Sequence, residues 1–396
     1  MAVATLPDQR RTARGTLSRE DRLCLLLARG ALDPHVREEA AGLLASPLKW
    51  DHVLEQARVH EVYPLVYRSL KELGFAGVPD EFRKELASLY QINALRNELL
   101  AEELGTLLRA LAAVGIPTIP LKGICLAERL YGDRGLRVCA DLDLLVPSSR
   151  VAETFALLRT RGYQAPFPRW VLTEGMMRNS IETALGHADG EMRYDIELHW
   201  GLLWDPPHAK ASMEVLWAEA HPDACLGASI YALSPEWQAL FLLIHAARHN
   251  WQGLKWLVDL HQLRGLGAVD WNGVAAAARR RGWEQLLCWG LSVCHVLLDT
   301  PLPSGVDLEL PRPQPKLFPA PPDPLGPWSN TRLALRLGKG PIDKLRLIAS
   351  RLLIPTASEC ALWPLPPSLA FLYYPLRPFG VAYRASRSVL QRRLRA

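Results

Sequence analysis

The sequence predicts an α+β fold, a small mixed or antiparallel sheet flanked by N-terminal and C-terminal helical regions. Three observations predict it. Apolar residues recur at three- and four-residue steps from Arg19 to Gly115 and again from Ser234 to about Thr300, which is the spacing of one helix face. Between these blocks lie two alternating runs, CADLDLLVP (Cys139–Pro147) and YDIELHW (Tyr194–Trp200), with the two-residue period of strands. An Asp189-Gly190 pair precedes the second run and follows IETALGHA, a strong hairpin signal.

The elements follow in order. Residues 1–18 are basic and read as a disordered lead-in. Residues 19–115 are expected to be helical, and their clearest helix runs from Glu81 to Gly115, a glycine suited to a C-cap. Residues 116–210 change character. IPTIPL (Ile116–Leu121) reads as a strand, Gly123 as a turn and ICLAERLY as a helix. The D-x-D strand comes next, then the helix SSRVAETFALLRTRGY with Ser148 or Ser149 as N-cap, then the hairpin. Residues 211–300 are again expected to be helical, with Ser234 capping a helix whose first position is Pro235. Ten prolines between 301 and 328 make 301–330 a linker, and 331–396 is a mixed segment with a basic tail.

Charge is unevenly placed. The chain of 396 residues carries a net +5, yet no acidic residue follows Glu359 while six arginines do. The body is therefore near neutral, which argues against nucleic acid as a partner. The arginine-rich tail, with Tyr373, Tyr374 and Phe379, reads as solvated; weak contact with an anionic membrane surface is the alternative. Seven scattered cysteines form no C-x-x-C pair and read as reduced thiols. There is no secretory h-region and no run of about 18 apolar residues, so the expected location is cytoplasmic.

The chemistry centres on Asp141 and Asp143. On a strand, both carboxylates emerge on one side, about 6–7 Å apart, where they repel and call for water, a basic side chain or a metal ion. In YDIELHW, Asp195, Glu197 and His199 share one face. If the two strands are neighbours, Glu197 joins the aspartates. Lys122-Gly123 sits at a strand-to-helix turn, where a glycine backbone, free N–H groups and a lysine suit phosphate. Arg137 lies four residues before Asp141 and is a further phosphate contact. Oxygen donors without cysteine suit Mg²⁺ or Mn²⁺, and such ions support attack on a nucleoside triphosphate.

On these residues the chain resembles a known family. PTIPLKGICLAERLYGDRGLRVCADLDLLV, then RGY, DIELHW and HAARHNWQGLKWLVDL are similar to the bacterial uncharacterised nucleotidyltransferase family, within the DNA polymerase β-like nucleotidyltransferase superfamily. The likeness runs from the Glu81 helix to about Leu263 and, more weakly, through IPTASECALWPLPPSLAFLYYPLRP. It implies a small α/β palm of nucleotidyltransferase type at 116–210, flanked by helices. It implies Mg²⁺-dependent use of a nucleoside triphosphate, with ATP as the expected donor. By the same resemblance Gly123 matches the glycine of the nucleotide-binding turn, Asp141 and Asp143 the metal-binding pair, and Glu197 the third carboxylate. Gly123 is followed by Ile124 where the superfamily's turn carries Ser or Gly, so Lys122 is expected to hold the phosphate instead.

Other candidates lie outside the palm. His245 and His249 are four residues apart and share a helix face. Either they pack at a polar rim, or that face turns to the palm with Trp256 or Asp259 contacting nucleotide or acceptor. His199 either orients a carboxylate or the acceptor, or is a core histidine. The leading function is transfer of a nucleoside monophosphate to an unidentified acceptor, a small molecule, peptide or protein. The alternatives are a degenerate palm that binds nucleotide or a partner without turnover, and a D-x-D glycosyltransferase. The helical first hundred residues disfavour the last.

Overall fold

A computed structural model describes residues 17–172, 177, 180–203, 209–304, 318–319, 329–338 and 340–395. Residues 1–16 of the expected lead-in and most of the proline-rich linker at 301–330 fall outside the described residues. The chain divides into two compact units, each assembled from separate stretches. The first takes Met1–Ala101, Gly123–Cys139 and Pro235–Pro324, and the second takes Glu102–Lys122, Ala140–Ser234 and Leu325–Ala396.

The first unit is helical. Side-chain caps start its helices where the sequence offers them. Ser18 accepts from the Asp21 N–H ahead of Arg19–Leu27, and Asp33 accepts from the Val36 N–H ahead of Pro34–Leu44. Gly282 ends Trp271–Arg281 in the left-handed conformation, at φ 74°. Leu23, Leu26, Leu70, Trp237, Leu243 and Leu298 are among its buried core residues. The long helix Asp80–Ala113 begins here and enters the second unit after Ala101. Its Asn93 and Asn97 are buried and donate to the carbonyls of Gly135 and Arg137, fixing the connection after the helix Gly123–Tyr131.

The second unit holds the sheet. Its order is β1 (Ile119–Pro120), β2 (Leu142–Leu145), β4 (Met192–His199), β3 (Glu182–Asp189). β1 and β2 are antiparallel, β2 and β4 parallel, β4 and β3 antiparallel, so the sheet is mixed and the fold class is α+β. The hairpin reverses at Gly190, φ 58°, with Asp189 paired to Met192. The parallel pair is buried on both faces along β2, as a central strand requires. A second hairpin, β5 (His221–Cys225) and β6 (Ala228–Ala232), extends the β structure. The Tyr231 N–H donates to the Thr118 carbonyl beside β1.

Several local expectations are corrected. The strand at Ile116–Leu121 is only two residues long, because prolines at 117 and 120 leave few donors. Neither Ser148 nor Ser149 caps a helix. The chain passes through a 3₁₀ turn, Ser148–Arg150, into Val151–Thr160. The 211–300 stretch is not wholly helical, since it contains β5 and β6. Their alternation is short and breaks at Leu226-Gly227, where φ is positive at both residues. Cys24, Cys139, Cys288, Cys294 and Cys360 are thiols rather than disulfide sulfurs.

The C-terminal segment of the second unit closes on a buried charge cluster. Glu359 completes a capping box with Thr356 and accepts from Arg377 and Arg384. Tyr373 is buried, its hydroxyl donating to the Trp363 carbonyl, so it is not one of the tail's exposed aromatics. Tyr373–Arg395 is one helix that runs through Pro378.

Candidate functional site

The sheet register builds the site. In the parallel pair, Asp143 stands opposite Glu197 and Leu145 opposite His199. In the antiparallel pair, Glu182 stands opposite His199. Asp143, Glu197 and His199 each offer a ligand atom, and these atoms all lie within 4.8 Å of one another. His199 Nε2 is 3.2 Å from Asp143 Oδ1 and 3.4 Å from Glu197 Oε2. Its Nδ1 lies 3.2 Å from Glu182 Oε2 without hydrogen-bond alignment.

Lys122 supplies the cation. The Leu121 N–H donates to the Asp143 carbonyl, which lays the chain beside β2 and brings the next side chain to the carboxylates. Lys122 Nζ is 3.1 Å from Asp143 Oδ1 and 3.4 Å from both Asp141 oxygens. Asp141 lies just before β2 rather than within it. Its side chain is partly exposed, whereas that of Asp143 is fully buried.

Burial pushes the Asp143 carboxyl up. Lys122 opposes this, Asp141 adds to it, and the group titrates at about 6. For His199 burial favours the neutral ring, but the hydrogen bonds to Asp143 and Glu197 reverse that and raise it to about 9. An imidazolium and an ammonium thus offset part of the carboxylate charge on this face.

The residues fit a divalent cation. Asp143 Oδ2 is buried and accepts no hydrogen bond, so one oxygen of the cluster's buried carboxylate bears its desolvation cost without a partner. Two carboxylates and an imidazole are ligands of Mg²⁺ or Mn²⁺ type, and the nitrogen tilts the set toward Mn²⁺. Asp141 reaches the cluster through Lys122.

The expected nucleotide contacts in the first unit are otherwise engaged. Arg137 is not an exposed phosphate contact. Its guanidinium is buried and grips Asp259 through Nε at 3.1 Å and Nη2 at 2.9 Å. Burial disfavours its charge, and Asp259 more than offsets this, holding it well above the ordinary value. Tyr131 donates to the same carboxylate at 2.7 Å. His245, His249 and Trp256 form a ring cluster, His249 stacked on Trp256 with centroids 3.7 Å apart. Gly123 takes φ 70° at the start of its helix, a conformation that favours glycine.

Glu182 is the site residue that sequence reasoning missed, although the signal was present. A two-residue turn after Asp189 pairs residue 189 with 192, and counting back pairs Glu182 with His199.

No curated protein and no solved structure matches the chain. The family model described as uncharacterised nucleotidyltransferase matches residues 46–299. That span covers more than half of the chain and takes in Lys122, Asp141, Asp143, Glu182, Glu197 and His199, so this chain belongs to the uncharacterised nucleotidyltransferase family.

Proposed function

We propose that this protein transfers a nucleoside monophosphate from a nucleoside triphosphate, with ATP the expected donor, to an acceptor hydroxyl or phosphate. Pyrophosphate is released and Mg²⁺ or Mn²⁺ is required. The acceptor is a small molecule, peptide or protein. The observation that carries the reading is the register of Asp143 against Glu197 beside His199, with Asp143 Oδ2 buried and unpartnered.

Asp141, Asp143 and Glu197 would hold the cation, and His199 would complete or orient the set. The bound cation would neutralise charge on the α-phosphoryl group and the leaving pyrophosphate. Lys122 now lies between the two aspartates. With a metal on the carboxylates, its ammonium would be available to the triphosphate, the role a turn serine would otherwise have. Glu197 has the most exposed side chain of the clustered three, so it is the group placed to take the acceptor's proton as the new P–O bond forms. His199, held by Asp143 and Glu197 and approached by Glu182, fixes the carboxylates in place.

The test is label transfer from each of the four α-³²P nucleoside triphosphates to a small-molecule or protein fraction of a cell extract. The reading expects a labelled product that requires Mg²⁺ or Mn²⁺ and is absent with Glu197→Gln. A folded protein that binds nucleotide and metal yet transfers no label would favour binding without turnover.

A further inference from the structure

The helix Pro341–Leu353 does not bury its whole apolar content. Leu347 is buried in a cluster with Ile181 and Ala334. On the opposite face Ile342 and Leu345 are 65% and 67% exposed, and Ile348, Leu352 and Leu353 are exposed too. Steps of three and four residues put these on one stripe. At 3.6 residues per turn, Lys344 and Arg346 flank that stripe on either side, and both are exposed.

The neighbouring helix Tyr373–Arg395 repeats the pattern. Arg377 Nε donates to the Arg351 carbonyl, tying the two helices together. Phe379, 68% exposed, and Tyr383 lie on the outer face of the second helix. The Arg387 guanidinium stands over the Tyr383 ring. From residue 341 onward the chain has nine basic residues and two acidic ones, Asp343 and Glu359. Glu359 is buried and paired to Arg377 and Arg384. Setting aside Arg377 and Arg384, which pair with it, seven basic residues and Asp343 remain, on a chain whose total charge is only +5.

We propose that this apolar, arginine- and lysine-rimmed face docks on an anionic lipid surface. Exposed aliphatic and aromatic side chains bordered by cations are the pattern of an interfacial helix, which lies in the headgroup plane. At 13 residues the helix is about 20 Å long, short of the roughly 30 Å needed to span a bilayer. Charge selects the occupant. A second copy docking by twofold symmetry would set this cationic surface against itself. Nucleic acid would meet the cations but leave the leucine stripe in water. The inference is independent of the nucleotidyl-transfer reading.

The test is co-sedimentation of the full chain with vesicles of phosphatidylcholine, alone or mixed with phosphatidylglycerol. The proposal expects binding to the mixed vesicles only, weakening as salt rises. Lys344→Glu/Arg346→Glu lowers that affinity by at least about 10-fold, and Leu345→Gln/Ile348→Gln abolishes it. All four side chains are exposed, so both variants keep the wild-type circular dichroism and thermal midpoint, and the charge variant decides alone if the other fails to fold. Three results would overturn it. They are no binding to mixed vesicles at low salt, binding that both variants retain, or a lipid-free dimer that Leu345→Gln/Ile348→Gln dissociates.

Discussion

Asp143 and Glu197 stand directly opposite each other on a parallel strand pair. The backbone ladder thereby holds together two carboxylates that would otherwise repel. His199, two residues beyond Glu197, and Lys122, beside β2, supply the compensating charge. Such an arrangement costs stability in the absence of a further cation, and several measurable consequences follow from that cost.

Asp143→Asn keeps the shape and removes the buried charge. Because burial raises the carboxyl from 3.8 to about 6, the neutral side chain stabilises the metal-free protein by about 3 kcal/mol near neutral pH. Urea denaturation checks this. A fall in stability would mean that the carboxylate is structurally needed rather than strained.

The pH dependence has a definite sign. Between 3.8 and about 6 the folded state binds more protons at Asp143 than the unfolded chain, so stability falls as pH rises. His199 is raised from 6.5 to about 9. Its contribution is full below 6.5 and is lost as pH rises through 9. The summed contribution of these two groups therefore declines from about pH 4 to about pH 9, while buried His261, lowered to about 4, contributes in the opposite sense below about 6.5. The difference in thermal midpoint between metal-free wild type and His199→Gln isolates the upper step. Mn²⁺ affinity runs the other way, rising with pH, since the metal requires the unprotonated ring.

Lys122→Met separates two roles. The ammonium competes with any cation for Asp141 and Asp143. Removing it raises Mn²⁺ affinity about 10-fold at about pH 8, where Asp143 is ionised. Triphosphate affinity falls in the same variant. Calorimetric titration of each ligand reads both. Parallel losses of metal and triphosphate would contradict the assignment.

In the first unit, Asp259→Ala leaves the Arg137 guanidinium buried without its partner and costs about 3–5 kcal/mol. The double change Arg137→Met/Asp259→Leu recovers most of that, because the pair balances a desolvation cost that apolar side chains do not incur. Chemical denaturation of both variants measures the difference.

The periodic parts of this chain were legible in its sequence. The helix ending before Gly115, the hairpin turning at Gly190 and the shared face of Glu197 and His199 all follow from local spacing. Strand order was not legible, because which strand neighbours β2 is decided by tertiary packing, and the Asp143–Glu197 pairing depends on it. Arg137 was misread for a related reason. Its partner Asp259 is 122 residues away, and a guanidinium near a carboxylate strand looks like a phosphate contact until that partner is seen. The exposed stripe of Pro341–Leu353 escaped notice because an amphipathic pattern states that one face is apolar, not that the face is covered.

The most direct measurement is the thermal midpoint with each of the four nucleoside triphosphates, with and without Mg²⁺, on wild type and Asp143→Asn. A ligand that binds only the folded state at one hundred times its Kd stabilises it by about 2.7 kcal/mol. The account predicts an upward shift with at least one triphosphate that requires Mg²⁺ and disappears in Asp143→Asn. A folded wild type that shifts with no triphosphate, or shifts equally without Mg²⁺ and in the variant, would contradict it.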